Sequence, residues 1–233
     1  MRVNFTRRGR ALLCAAILLL GTSWAHATVL VPGGTVVPAV LAGPAGTLEA
    51  SVLNLPLDTG DVQGSLTAAV VRNAAGTLDF YYQVTNSLGS LDSLSRNTNS
   101  LFASLSNVFA TSVFYRTDTG GLGIFSDGDD GATPLTADRN ATGRVVGFNF
   151  LSLPFVTGID PGETSRILVI RTNAVHFIPG MSSVIDGGVD SVDTFAPAAV
   201  PEPASLVLLG SAFGAAAYMA RHRGAKRRKS AGA

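Results

Sequence analysis

Short runs of β-forming residues recur between residues 47 and 195, and Gly, Asn, Asp and Pro separate them. In the clearest run, residues 77–85, apolar side chains occupy every second position: Leu78, Phe80, Tyr82 and Val84. A period of two places these side chains on one face of a β-strand. A second run at 65–72 precedes it, and the turn-forming sequence Asn73-Ala74-Ala75-Gly76 joins the two. Residues 65–85 therefore predict a β-hairpin.

Residues 166–171 form a nearly all-apolar run, Arg-Ile-Leu-Val-Ile-Arg, which indicates a strand at the centre of a sheet. Other strand-like runs lie at 47–53, 109–116, 145–150, 175–178, 182–186 and 191–195. Residues 86–107 are rich in Ser, Asn and Leu and predict a loop or a short helix. The pattern favours an all-β fold class, an antiparallel β-sandwich of about eight to ten strands.

Residues 1–27 have the features of a secretory signal peptide. Four Arg residues precede an apolar run at 11–20, and Ala25-His26-Ala27 supplies the small residues that signal peptidase accepts. A helix of about ten apolar residues rises only about 15 Å, whereas the hydrocarbon core is about 30 Å thick. We therefore expect a signal helix that is removed after Ala27, rather than a permanent anchor.

The C-terminal segment, residues 200–233, has three parts in a fixed order. Val200-Pro201-Glu202-Pro203 comes first, an apolar stretch at 206–220 follows, and a cluster of six Arg and Lys residues closes the segment. With Ala204 and Ser205 the apolar stretch reaches about 17 residues, the lower limit for a transmembrane helix. The basic cluster favours a cytoplasmic end for this helix, which would leave the preceding domain on the outer side of the membrane.

This three-part segment resembles the PEP-CTERM sorting domain of Gram-negative bacteria that make exopolysaccharide. The resemblance implies that an exosortase, a membrane cysteine protease-transpeptidase, recognises Val200, Pro201, Glu202 and Pro203 and processes the chain near them. It also implies transient anchoring in the inner membrane with the body on the periplasmic side, followed by release to the cell surface or extracellular matrix. The alternative is an ordinary C-terminal anchor that follows a Pro-rich stalk.

The charge of the chain is divided unevenly. Residues 28–200 hold seven Arg and no Lys against fifteen Asp and Glu, a net charge of about −8, while the two ends hold the other ten basic residues. Nucleic-acid binding requires Lys and Arg to neutralise phosphates, so this body is not expected to bind nucleic acid. The single Cys and the single Trp, Cys14 and Trp24, both lie in the signal peptide. The body therefore has neither a disulfide nor thiol chemistry.

An acidic segment is the candidate metal site of the body. Its carboxylates are close in sequence: Asp127, Asp129, Asp130 and Asp138. Calcium takes six to eight oxygen ligands, and carboxylates at alternate loop positions can converge on one ion. The segment lacks the Gly position and the closing Glu of an EF-hand loop. A solvated loop in an acidic protein is the alternative, and calcium is the one cofactor that the sequence suggests.

Catalytic signals are weak in the body. His176 is its single His, and no nucleophile or zinc-hydrolase motif accompanies it. Glu49 and Glu163 are its two Glu residues, and the sequence marks neither as an acid catalyst. Five aromatic residues are candidates for a sugar-stacking surface, although core packing is their ordinary role: Phe80, Tyr81, Tyr82, Phe114 and Tyr115.

The expected organisation has four parts: a signal peptide (1–27), an extended leader or edge strand (28–46), a β-sandwich (47–199) and a sorting segment (200–233). The expected function is that of a non-enzymatic envelope or extracellular-matrix protein associated with exopolysaccharide. Its expected partners are the exosortase and the membrane. The alternative function is a secreted polysaccharide hydrolase that uses carboxylates in the loops.

Overall fold

The computed structural model describes residues 28–103, 108–151 and 158–199. The predicted signal helix, the predicted transmembrane helix and the sorting motif lie outside these residues. Among the described residues, no helix has both the length and the apolar character needed to cross a membrane.

The regular structure of the described residues consists of twelve β-strands, which confirms the all-β class. The strands are β1 (Thr35–Val36), β2 (Ala39–Val40), β3 (Thr47–Asp58), β4 (Gln63–Arg72), β5 (Leu78–Asn86), β6 (Arg96–Asn99), β7 (Thr111–Arg116), β8 (Thr136–Arg139), β9 (Val146–Asn149), β10 (Ile167–Thr172), β11 (His176–Asp186) and β12 (Gly188–Ala198). They form two six-stranded sheets. Sheet I has the order β2-β7-β10-β5-β4-β3, and sheet II has the order β1-β8-β9-β6-β11-β12.

The predicted hairpin is present in sheet I as β4 and β5, which pair antiparallel with Val70 opposite Phe80. Strand β10 lies between β5 and β7, so the central position expected from its apolar sequence is confirmed. The pairing of β2 with β7 is parallel, and the other strand pairings of the described residues are antiparallel.

The strand count exceeds the expected number for two reasons. The leader contributes β1 and β2, which pair with β8 and β7 at the edges of the two sheets. In addition, residues 96–99 form β6, a strand in the middle of sheet II, where the sequence predicts a loop or a short helix. The sequence of β6 is Arg-Asn-Thr-Asn, and its two Asn side chains are buried through hydrogen bonds rather than through apolar contacts. Asn97 Nδ2 donates to the Ser182 hydroxyl at 2.9 Å, and Asn99 Nδ2 donates to the side-chain Oδ1 of Asn97 at 2.8 Å.

Strand β5 is buried on both faces. Phe80 and Tyr82 belong to the main core, where Phe80 meets Phe102 edge to face with ring centroids 5.5 Å apart. Tyr81 points to the opposite face of sheet I and packs in a second, smaller core with Phe114 and Phe125. Segments 39–45 and 122–125 cover this outer face of sheet I, which explains why three consecutive aromatic residues are all buried.

Arg139 connects four segments of the chain through its buried guanidinium. Its Nη1 donates to the carbonyls of Leu30 and Phe109 at 3.2 and 3.0 Å, and its Nη2 donates to the carbonyl of Phe102 at 2.9 Å. Its Nε donates to the carbonyl of Gly143 at 2.9 Å. These acceptors are all neutral, and burial lowers the pKa of Arg139. The side chain thereby fastens the leader and the segments around 102 and 109 to β8.

Candidate functional site

A cavity of about 320 Å³ lies on the outer side of sheet I, beside the turn that joins β4 to β5. Pro44 and Ala45 form one wall. Asn73, Ala74, Ala75 and Thr77 of the turn form the opposite wall, and Arg171 of β10 also lines the space. Cavities that hold small ligands generally begin at about 300 Å³, so this one has the size of a binding site for a single small molecule.

The guanidinium of Arg171 is fixed by a buried carboxylate. Arg171 lies opposite Asp79 in the pairing of β10 with β5, and Asp79 is fully buried. The Arg171 Nε donates to Asp79 Oδ1 at 3.0 Å and Nη2 donates to Oδ2 at 2.8 Å, which is the bidentate geometry that a guanidinium makes with a carboxylate. Asn73 Nδ2 donates to Asp79 Oδ1 at 2.7 Å. The hydrogen bond to Asp79 raises the pKa of Arg171.

A second contact holds the plane of the same guanidinium. The Arg171 Cζ lies 5.2 Å from the centroid of the Phe114 ring, within the range of a cation–π interaction. The Nη1 of Arg171 makes no hydrogen bond to the described residues, and the side chain is 37% exposed. One edge of the guanidinium is therefore bound to Asp79, and the other edge is free at the cavity.

Local hydrogen bonds hold both walls of the cavity in place. The Asn73 Oδ1 accepts the backbone N–H of Ala75 at 3.0 Å and of Thr77 at 3.3 Å, and Gly76 completes the turn with a φ of +80° that favours glycine. On the other wall, the Ala45 N–H donates to the Gly120 carbonyl at 3.2 Å. These hydrogen bonds fix the positions of both walls.

The charges next to the cavity are paired. Arg72 follows the last apolar residue of β4, and its Nε lies 2.7 Å from Glu49 Oε1. Its Nη1 donates to the Gly76 carbonyl at 2.9 Å. With the Asp79–Arg171 pair, the neighbourhood contains two cations and two carboxylates, so it is close to neutral within a strongly acidic body.

The acidic loop predicted as a metal site is bound to the segment that precedes β10. Asp129 Oδ2 accepts the backbone N–H of Thr164 at 2.7 Å, and the Asp130 carboxylate pairs with Arg166. Arg166 Nη1 also donates to the carbonyl of Asp127 at 2.7 Å. These contacts give the loop a structural role, since they hold it against the residues that lead into the central strand β10.

The fourth predicted ligand, Asp138, lies on β8 in sheet II, where its carboxylate is 2.8 Å from Arg96 Nη1 and 3.2 Å from Asn149 Nδ2. The structure therefore keeps Asp127, Asp129 and Asp130 in one loop and places Asp138 elsewhere. In the described part of the chain, no group of three or more His, Cys, Asp and Glu residues is arranged to hold a metal ion. The calcium site stays a prediction from the sequence.

The other candidate residues have ordinary structural positions. Phe80, Tyr81, Tyr82 and Phe114 are buried and Tyr115 is half-buried, so these five do not form an exposed stacking surface. Burial, together with the nearby Asp79 charge, raises the pKa of Tyr81 to about 12. His176 is exposed at the start of β11, and Glu163 Oε2 accepts the N–H of Asp160 at 3.0 Å within a turn.

Asp186, at the end of β11, gives a testable pH effect. Burial raises its pKa, the negative charges of Asp92 and Asp61 raise it further, and a hydrogen bond from Ser95 opposes them. An acid with a raised pKa in the folded state favours folding at low pH and loses that contribution as the pH rises through its folded pKa. We expect Asp186→Asn to raise Tm by about 1–3 °C at pH 7, the range for a partly exposed charge.

The same Asp186→Asn substitution is expected to leave Tm unchanged at about pH 3, where the carboxyl is already protonated. The control is Asp193→Asn, which removes an exposed carboxylate from the neighbouring strand β12. Thermal unfolding at both pH values gives the measurement. An equal effect of Asp186→Asn at both pH values would contradict a raised pKa of Asp186 beside Asp61 and Asp92.

Sequence reasoning did not identify the residues of the cavity. The sequence pattern predicts Arg171 only as the end of a central strand, and it predicts no role for Asp79. The available signal is Asp79 itself, because a carboxylate between Leu78 and Phe80 needs a cationic partner when both faces of the strand are buried. Nothing in the sequence states which Arg supplies that partner, since Arg171 lies 92 residues further along the chain.

Comparison of the chain with protein-family models, with curated proteins and with solved structures finds no match.

Proposed function

We propose that this chain is an exported, non-enzymatic envelope or matrix protein with a sandwich-like β body and a PEP-CTERM-type sorting segment. The proposal rests on three sequence features that follow one another from residue 201 onwards: Pro201-Glu202-Pro203, the apolar stretch and the Arg/Lys cluster. In this proposal the signal helix is removed after Ala27. The C-terminal helix then anchors the chain in the inner membrane until an exosortase cleaves near the motif.

The position of the last strand supports the proposal. Strand β12 ends at Ala198, two residues before Val200, and it is the edge strand of sheet II. A chain that continues from an edge strand leaves the body at its periphery. The sequence adds a second support, since two prolines in the motif disfavour helix and favour an extended backbone, the form that a processing enzyme binds. A membrane enzyme can therefore reach the motif without unfolding the body.

The contacts of the carboxylates predicted as a metal site support a structural role for these residues over the hydrolase alternative. The loop carboxylates of Asp129 and Asp130 bind Thr164 and Arg166, and Asp138 pairs with Arg96. A glycoside hydrolase needs two carboxyl groups that face the same bond at about 5–10 Å from each other. Carboxylates that fix strand ends and loops are suited to a stable body rather than to proton transfer.

A motif variant tests the proposal in a host that carries an exosortase. Replacing Pro201 and Pro203 together by Ala allows helix to extend into the motif and removes both prolines of the proposed recognition element. We expect the precursor to accumulate in the inner-membrane fraction and the processed form in the medium or outer fraction to fall about tenfold, the change that corresponds to a loss of about 1.4 kcal/mol in recognition.

The matched control replaces two exposed prolines of the body, Pro32 and Pro56, by Ala. It makes the same chemical change twice and leaves the sorting segment intact, so its distribution is expected to equal that of the wild type. Two results would count against exosortase sorting. One is normal processing of the Pro201/Pro203 variant. The other is a wild-type chain that is processed and distributed in the same way in a host without exosortase.

A further inference from the structure

We infer that the cavity beside the β4–β5 turn binds a carboxylated sugar ring of the size of one hexuronate, with the free edge of Arg171 holding its carboxylate. The inference deepens the proposed function of an envelope or matrix protein, and it rests on that proposal, together with the association with exopolysaccharide expected from the sequence, for the natural source of the ligand. The cavity supplies its physical basis.

The geometry of Arg171 selects the chemistry. A guanidinium has five N–H donors arranged in two edges. The edge formed by Nε and Nη2 is occupied by the fully buried Asp79, and Nη1 has no hydrogen-bond partner among the described residues. The remaining edge offers parallel donors, and two parallel N–H groups match the two oxygens of a carboxylate. A neutral hydroxyl presents a single oxygen, so it cannot form the two parallel hydrogen bonds that a carboxylate forms.

The same contacts remove most of the cost of ordering an arginine side chain. Asp79 holds the guanidinium on one edge, and the Phe114 ring holds its plane at 5.2 Å from Cζ. A free surface arginine would lose rotamer freedom on binding, whereas Arg171 is already held in one arrangement. Fixed donors of this kind increase affinity and specificity without any additional contact.

The shape of the cavity sets the size of the ligand. Its volume of about 320 Å³ accommodates one sugar ring with some water, and it lies at the lower end of the range for ligand sites. The side chains of Pro44, Ala45, Ala74 and Ala75 are small, so the space between the walls remains open. The Thr77 hydroxyl, which accepts from Asn73 Nδ2 at 2.9 Å, provides a polar group for ring hydroxyls.

The charge around the cavity allows a single carboxylate to bind. The body as a whole carries about eight negative charges in excess, which opposes the approach of an anion. The cavity itself lies among two cations and two carboxylates that are already paired. We therefore expect weak binding that is directed by local geometry and strengthened by moderate salt, because salt screens the long-range repulsion.

The test is a calorimetric titration of the purified full chain with three probes: D-glucuronate, D-glucose and acetate. Glucuronate has both ring and carboxylate, glucose has the ring, and acetate has the carboxylate. We expect glucuronate to bind at least about tenfold more tightly than either of the other two, because only glucuronate uses both the arginine edge and the cavity walls. Equal affinity for glucuronate and either partial probe, or no detectable binding of glucuronate, would overturn the inference.

A pair of matched variants locates the binding. Ala74→Phe and, independently, Ala75→Phe fill the cavity from exposed turn positions. The control is Ala141→Phe, since Asn140-Ala141-Thr142-Gly143 is a similar turn between β8 and β9, with Ala141 exposed and Gly143 at a φ of +73°. We expect each cavity variant to weaken glucuronate binding about tenfold and the control to change it less than twofold. Unchanged binding in both cavity variants would overturn the assignment.

These measurements do not involve the sorting segment. A negative titration with normal tail processing would overturn the binding site and leave the sorting proposal intact. Binding of glucuronate by a chain whose tail is not processed would overturn the sorting proposal and leave the site intact.

Discussion

Arg139→Met is expected to lower the free energy of unfolding by about 3–5 kcal/mol, because it leaves several buried carbonyl groups without their donor. The guanidinium donates to the carbonyls of Leu30, Phe102, Phe109 and Gly143. A methionine fills a similar volume but donates nothing, and each unsatisfied buried carbonyl costs about 1–3 kcal/mol. Urea-induced unfolding of the purified variant and of the wild type measures the difference.

The control for this prediction is Arg144→Met, which removes the same charge from an exposed side chain five residues further on. It is expected to change the free energy of unfolding by no more than about 0.5 kcal/mol. If both variants lost the same stability, the effect would belong to net charge and not to the four carbonyls. If Arg139→Met were neutral, the leader would not depend on this side chain.

Arg171→Met is expected to lower the free energy of unfolding by about 3–5 kcal/mol, while Asp79→Asn is expected to cost only about 1–2 kcal/mol. The two partners differ in burial, since the Asp79 side chain is fully buried and that of Arg171 is 37% exposed. Without Arg171, the carboxylate is a buried charge without a counter-ion. Without Asp79, the guanidinium can be hydrated at the cavity.

Urea-induced unfolding measures both losses, and a more exposed ion pair provides the control for this prediction. The comparison is Arg72→Met, which breaks the more exposed pair with Glu49 and is expected to cost about 1 kcal/mol. Equal losses for Arg171→Met and Asp79→Asn would contradict the claim that Asp79 is fully buried while Arg171 can be hydrated at the cavity.

The part of the fold that followed from the sequence was encoded locally. The β4–β5 hairpin was predictable because Leu78, Phe80, Tyr82 and Val84 alternate with period two and a turn sequence precedes them. The central position of β10 was predictable from four consecutive apolar residues. Both signals reside within a few residues of the chain, so no knowledge of partners is required.

The part that was missed depends on contacts between distant segments. Strand β6 has a polar sequence, and its two Asn side chains become acceptable in the interior only because Ser182 of β11 completes their hydrogen bonds. The leader is expected as an extended segment or an edge strand, and β1 and β2 are indeed edge strands, but the sequence does not state that they pair with β8 and β7 in different sheets. Local propensity contains none of this information.

The sequence did not predict the cavity for the same reason. The acidic residues at 127–130 are close together in the chain, but the residues that they contact, Thr164 and Arg166, are distant in the sequence. The cavity forms where Arg171 meets Asp79 across two strands, and only the register of β10 with β5 brings them together. Proximity in the sequence therefore does not reveal which contacts these residues make in the fold.

Intact-mass spectrometry of the native protein, recovered from the cell surface and the medium, is the most direct test of the central claim. We predict a mature chain that begins at Thr28 and ends close to Pro201-Glu202-Pro203, without the basic cluster at 221–229. A mature envelope protein that retained the apolar stretch and the whole basic cluster would contradict processing and favour an ordinary C-terminal anchor.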